Sequence, residues 1–265
     1  MLLQATAARA WDSATHRAIA RLAVEAMPSS SLKSFLARNH AALERRAVEP
    51  DSILKARYGK AEERRHYIDI EMFGSDPWTR LSPDITRMRR RTLERAGTLP
   101  WTIEGVSDQL ERAWSGRNCA QVVVLSGHLA HYVGDASQPL HSTEHFDGYA
   151  GDRGVHARIE AAVDRSLSEL EPLASREVHL EQIADVWAPT IAELHDANRL
   201  VGEVIRDDRA ARDAGAYRGY EYQRALMDHD AAMFAGQIAR AASLLGSIWL
   251  YEWQRAGSPA ACQGQ

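Results

Sequence analysis

Cysteine is almost absent from this 265-residue chain: Cys119 falls in a predicted helix and Cys262 in the C-terminal segment. That excludes a thiol framework and a C-x-x-C metal knuckle, so any metal must rely on imidazole and carboxylate. Lysine is scarce too, with only Lys33, Lys55 and Lys60. Acidic residues (36) outnumber basic ones (32), and the formal net charge of -4 lacks the basic excess of an ordinary nucleic-acid-binding domain. No apolar run approaches the roughly 18 residues of a membrane span, so a water-soluble chain without an integral membrane segment is expected. Strand-like alternation between turn pairs is also rare. What the chain does have is an ordinary globular balance, 45% hydrophobic and 26% charged, which supports a packed core. Arginine is abundant, and the run Arg87, Arg89, Arg90, Arg91 and Arg95 reads as a solvated helix face. There are also 11 histidines, whose placement is the informative feature.

Helical periodicity dominates, and the expected fold is all-α, a single multi-helix domain. The first helix is expected from Asp12 or Ser13, both plausible N-caps, to Met27, where Pro28 ends it. Further helices are expected over 30–46, 84–96, 102–115, 118–136, 152–172, 179–204 and 219–255. Residues 1–10 end in Ala8-Arg9-Ala10, a small-x-small pattern of the kind that precedes signal cleavage. They read as the remnant of an export signal, which implies a secreted or periplasmic protein with Trp11 as the mature N-terminus. Residues 11–255 form the domain, and 256–265 read as a flexible tail.

Within the predicted helix CAQVVVLSGHLAHYVGDA, His131 and Asp135 stand four residues apart, one turn from each other on the same face. A buried stripe does not normally pair an imidazole with a carboxylate unless they share a ligand or a hydrogen bond. His156 and Glu160 repeat the spacing in GVHARIE, and between them His141 follows Pro139 in QPLH. Histidine with carboxylate is the zinc donor set used when cysteine is not. His128 reads as a satisfied core residue, and His40, His179, His195 and His229 have no partner in a suggestive register. The inverted zinc-protease pattern H-x-x-E-H is matched by His141-Ser-Thr-Glu144-His145. It needs a continuous helix, for which Pro139 before it and the Gly-containing stretch after it leave barely one turn.

The run HYVGDASQPLH (131–141), followed by GVHARIE (154–160), resembles the zinc-dependent phospholipase C and fungal-type single-strand-specific zinc nuclease superfamily. The resemblance extends upstream to Trp11, to His16 in WDSATH, to Asp51 in AVEPDSI and to His66 in RRHYIDIE. It implies a trinuclear zinc site in a cleft. One ion is held by Asp51, His66, His131 and Asp135, a second by His141, His156 and Glu160, and a third by the Trp11 backbone, His16 and Asp135. It further implies phosphate-ester hydrolysis by a zinc-bound hydroxide, with Asp51 as the catalytic proton acceptor. Glu160 and HYIDIE resemble the phospholipase branch, whereas the short Trp11-to-His16 spacing resembles the nuclease branch. The expectation is therefore phospholipase C-like cleavage of phospholipids, with a single-strand nuclease or 3'-nucleotidase as the alternative. A metalloprotease or a non-catalytic zinc-binding module ranks below both. Tyr67, Phe146, Tyr149 and Arg153 flank the ligand segments and are read as substrate rim. The partners so implied are a phospholipid headgroup or single-stranded nucleic acid, with transient contact to a membrane surface, met by a monomer.

Overall fold

The computed structural model describes residue 11, residues 13–214 and residues 219–259. The stretch 1–10, Asp12, and the end of the chain with Cys262 lie outside the described residues. The helices are α1 (Ser13–Ala26), α2 (Ser31–Arg38), α3 (His40–Arg46), α4 (Lys55–Tyr58), α5 (Lys60–Glu63), α6 (Pro77–Arg80), α7 (Arg90–Ala96), α8 (Leu99–Ser115), α9 (Cys119–Ser137), α10 (Val155–Arg165), α11 (Leu167–Ala174), α12 (Trp187–Arg199), α13 (Val201–Asp213) and α14 (Gly219–Arg255). No strand occurs among the described residues, so the fold is all-α.

The organising element is α9, which packs against α1, α3, α8, α12 and α14. Val122, Leu129, Ala130, Val133 and Ala136 are fully buried on its different sides, which is why its sequence is apolar nearly all round. Gly127 brings α3 close: a Cβ there would stand 2.2 Å from the Arg46 Cβ and 2.9 Å from the Leu43 carbonyl oxygen. The chain leaves α3 beside His131 and enters a π-helical turn, Pro50–Leu54, that carries Asp51. Helix α14 is long and apolar enough to cross a membrane, but 67% of its most apolar window is buried inside the fold, where it packs on α1, α9 and α11.

Three expected helices are interrupted, in one case after a glycine and otherwise where neither proline nor glycine marks the break. The 30–46 helix is divided at Asn39, whose side-chain amide donates to the Phe35 carbonyl at 2.9 Å while its backbone leaves the helical region. The 152–172 helix starts only at Val155, after Gly154 at φ 86°, and is divided again at Ser166. The 179–204 helix departs furthest from expectation. Residues 178–186 form a non-helical strap along α14, with the His179 and Glu181 amides donating to Ser243 Oγ (3.0 Å) and Ser247 Oγ (2.8 Å). Leu180 covers Gly246, where an added Cβ would meet its side chain at 3.0 Å. Tertiary packing here overrides a helical pattern. The 84–96 helix is confined to α7, preceded by a 3-10 turn at Ile85–Arg87. Cys119 is disulfide-bonded, which corrects the expectation of no thiol framework.

Helix α10 carries His156, Glu160 and Asp164 at successive four-residue steps. The Asp164 carboxylate accepts from the Ala14 and Thr15 amides at 3.0 and 2.8 Å, capping α1 from another helix. Asp164→Ala is expected to cost about 0.5–2 kcal/mol, as loss of an N-cap does. Scanning calorimetry checks it, and an unchanged melting temperature contradicts the capping role.

Candidate metal centre

His131 and Asp135 are both fully buried on α9. His131 Nδ1 bonds the Ala47 carbonyl at 2.8 Å, which puts the proton on Nδ1 and turns the Nε2 lone pair inward. That lone pair lies 3.0 Å from His66 Nδ1, which is itself 3.0 Å from Asp135 Oδ2 and 3.6 Å from Asp51 Oδ1. Asp51 Oδ2 stands 4.0 Å from His131 Nε2. The donor atoms of one tetrahedral zinc lie about 3.3 Å apart, given bonds of about 2.0–2.1 Å, so this spacing suits a shared ion. His16 Nε2 approaches the other oxygen of Asp135 at 3.5 Å, and its ring stacks on His131 with centroids 4.0 Å apart. Trp11 is fully buried, its indole donating to Ser137 Oγ at 3.4 Å.

The second histidine pair completes a separate group. His141 Nδ1 bonds the His66 carbonyl at 2.6 Å, while its Nε2 faces His156 Nε2 at 3.0 Å and Glu160 Oε1 at 3.5 Å. His156 Nε2 stands 2.6 Å from Glu160 Oε1. The Ile68 amide donates to the His141 carbonyl at 2.8 Å, so the segments bearing the two groups are stitched in both directions. Among the described residues there are thus three histidine-containing groups able to hold a metal: His16 with His131 and Asp135; Asp51 with His66 and His131; and His141 with His156 and Glu160.

Both ring nitrogens of His16, His66 Nε2, His156 Nδ1 and Asp135 Oδ1 are buried without a hydrogen-bond partner. Buried polar atoms are ordinarily satisfied, and this many orphans around inward lone pairs and carboxylates fit cations. The electrostatics agree. Burial lowers the His16 and His131 pKa values well below that of free imidazole, so both stay neutral and able to ligate. Burial acts the same way on His66, but bonds to Asp135 and Glu62 outweigh it and push its pKa up to about 9. Burial raises Asp135 to about 6 despite the opposing pull of His141 and His66. Asp51 also resists burial: His66 and Lys55, whose Nζ lies 2.9 Å from Asp51 Oδ1, hold its carboxyl below the usual range.

A cleft of about 130 Å³ opens on His66, His141 and His156, lined also by Lys55, Tyr67, Asp69 and Phe146. Phe146 is 41% exposed, with its ring 5.9 Å from that of His156. Tyr149 packs instead against His145 in a tilted ring contact at 4.5 Å, and Arg153 lines a different groove with Arg158 and Arg165. The HSTEH motif is not helical: a 3-10 turn at Pro139–Ser142 gives way to extended Thr143. His128 bonds Glu49 at 3.1 Å, apart from the three groups.

Sequence reasoning missed three supporting residues. Glu62, buried, accepts hydrogen bonds from the Tyr132 hydroxyl and the Arg65 guanidinium and stands 3.5 Å from His66 Nε2; its signal is the four-residue step to His66. Gln138, fully buried, donates to Glu160 at 2.9 Å, and nothing in its local sequence marks it. Asp69, three residues after His66, is raised to about 7 by burial and by the carboxylates of Glu71 and Glu144, so near neutral pH it can both donate and accept in the cleft.

A model of the S1/P1 nuclease family matches residues 11–170, a span that contains every residue of the three groups. No curated protein matches the chain in sequence. Among solved structures, the alpha-toxin of Clostridium perfringens from avian strain SWCP aligns at a TM-score of 0.54 with 16% identity over 95% of this chain. The alpha-toxin from Clostridium absonum aligns at 0.54 with 13% identity over 96%. The chain spans 66% and 67% of their lengths, and at such identities the likeness is one of fold.

Proposed function

The chain belongs to the S1/P1 nuclease family, and on that premise we propose that it is an exported, zinc-dependent phosphodiesterase whose first substrate is single-stranded nucleic acid. The observation that carries the reading is the gathering of three imidazole and carboxylate groups, two of them meeting at His131 and Asp135 and the third stitched to them through His66 and His141, with a cleft that reaches His66, His141 and His156. In this reading each group holds one zinc, with the Trp11 backbone completing the His16 group. The family match supports nucleic acid as the substrate, in place of the phospholipid favoured on sequence. Cleft chemistry supports that: Tyr67 and Phe146 offer stacking faces beside Asp69, which can exchange hydrogen bonds with a base edge. The disulfide at Cys119 supports maturation in an oxidising compartment.

Zinc bound here supplies Lewis acidity and a coordinated water of pKa about 7. Asp51, Asp135 and Glu160 leave a net charge of about +3 once three divalent ions are held, which makes the cleft a receptor for phosphate. Asp51, ionised at neutral pH and with one oxygen fixed by Lys55, is the proton acceptor in this reading. Glu62 and the Ala47 carbonyl orient His66 and His131, while the His66 carbonyl and Gln138 orient His141 and Glu160. Phospholipid remains the second reading because a glutamate at position 160 resembles the phospholipase branch.

Zinc-loaded protein beginning at Trp11 should cleave single-stranded DNA at least ~10-fold faster than phosphatidylcholine vesicles, a difference of about 1.4 kcal/mol in barrier. The reverse ratio overturns the substrate, and cleavage of neither overturns the phosphodiesterase. Gly134 gives a further check, since a Cβ there would stand 2.7 Å from His16 Nδ1. Gly134→Ala should displace that imidazole, cost about 1–3 kcal/mol through overpacking and remove the zinc of the His16 group. Unchanged zinc content measured by mass spectrometry contradicts that assignment.

A further inference from the structure

A fourth group of potential ligands lies away from the cleft, where α13 packs on α14. Glu203 and Asp207 stand one turn apart on α13 and meet Asp230 of α14, with one oxygen from each within 4.8 Å of the others. No histidine joins them. Asp230 is only 3% exposed, and its Oδ2 is buried with no hydrogen-bond partner. Arg206 bonds Asp207 at 3.1 Å and its charge also reaches Asp230, but that side chain is 67% exposed and makes no hydrogen bond to the orphaned oxygen. Asp230 is thus a buried carboxylate crowded by two others, relieved without an ion only by a proton shared with Asp207, and a cation can take that proton's place.

We propose that Glu203, Asp207 and Asp230 bind one divalent cation of the hard, oxygen-seeking class, calcium, which braces α13 against α14. The donor chemistry separates this site from the zinc groups, because oxygen-only carboxylate sets suit calcium whereas imidazole suits zinc. Burial, reinforced by Asp207 and Glu203, raises the Asp230 pKa to about 7, the response of a carboxyl crowded by negative charge. The brace has a structural consequence. The next residues along α13, Asp208 and Arg209, grip Arg158 and Asp152 at 2.7 and 2.6 Å, on α10 and the loop before it. A cation on α13 would therefore steady the segment that delivers His156.

The test is calorimetric titration of the zinc-loaded chain with calcium chloride, with zinc counted before and after so that displacement is not mistaken for binding. The expected result is one calcium per chain, with dissociation constants spanning about 10⁻⁷ to 10⁻³ M for protein calcium sites, and a melting temperature at least ~3 °C higher at saturation. Asp230→Asn should abolish both the heat and the shift. Glu203→Gln, at an exposed position, tests the site if the first variant fails to fold and should weaken binding at least ~10-fold through loss of a ligand charge. No heat from the unmodified chain up to about 5 mM calcium, full binding by Asp230→Asn, or unchanged affinity in Glu203→Gln would overturn the proposal.

Discussion

Replacing Asp135 with asparagine is expected to lower phosphodiester turnover by at least ~10³-fold and to release more than one zinc per chain, because the same side chain serves two groups and metal supplies both nucleophile and charge stabilisation. One carboxylate oxygen faces His16 Nε2 at 3.5 Å, and the other faces His66 Nδ1 at 3.0 Å and His131 Nε2 at 3.5 Å. An amide keeps the shape and loses the charge, so the metal-free protein gives a control of opposite sign. The Asp135 pKa is raised from 3.8 to about 6 by burial, so the metal-free fold loses stability as pH rises through that interval and remains penalised at pH 7. Asparagine removes the penalty. Metal-free Asp135→Asn should melt no lower than metal-free wild type at pH 7, while the zinc-loaded comparison strongly favours wild type. A variant that melts lower in both states would mark Asp135 as structural. Full zinc content with activity within tenfold would contradict its ligand role.

Stripping metal from the wild-type protein should lower its melting temperature by at least ~15 °C. A ligand at 1,000 times its dissociation constant stabilises by about 4.1 kcal/mol per site, and each kcal/mol shifts a chain of roughly this size by about 2–4 °C. Two occupied groups already reach that figure. The orphaned nitrogens of His16, His66 and His156 explain why the loss is not recovered inside the protein: without a cation they stay buried with no hydrogen-bond partner. Differential scanning calorimetry before and after chelation, then after added zinc, measures the effect. A shift below about 5 °C would mean that the groups contribute little to the fold.

The helical class was legible because apolar residues recur at helical spacing throughout, and α14 ends at the residue its pattern predicts, 255. The groups were legible for a related reason: His131 with Asp135 and His156 with Glu160 each sit one turn apart, so local periodicity alone puts each pair on one face. What joins the pairs was not legible. Gln138 acts through a contact 22 residues away, and the Ala47 carbonyl through one 84 residues away, neither of which leaves a local pattern. Arg153 illustrates the converse. Only three residues before His156, it faces another groove, because Gly154 adopts a left-handed conformation before α10 begins. The helix interruptions at Asn39 and Ser166 escaped for the same reason as the 178–186 strap: side-chain and tertiary contacts decide them, not propensity.

The most direct test is the zinc content of chain whose first residue is Trp11, purified without chelator and counted by inductively coupled plasma mass spectrometry against protein concentration. One ion for each of the three histidine-containing groups is predicted. Protein retaining residues 1–10 should hold one fewer, because its Trp11 nitrogen is tied up in a peptide bond. Fewer than two zincs on the processed chain would contradict the account.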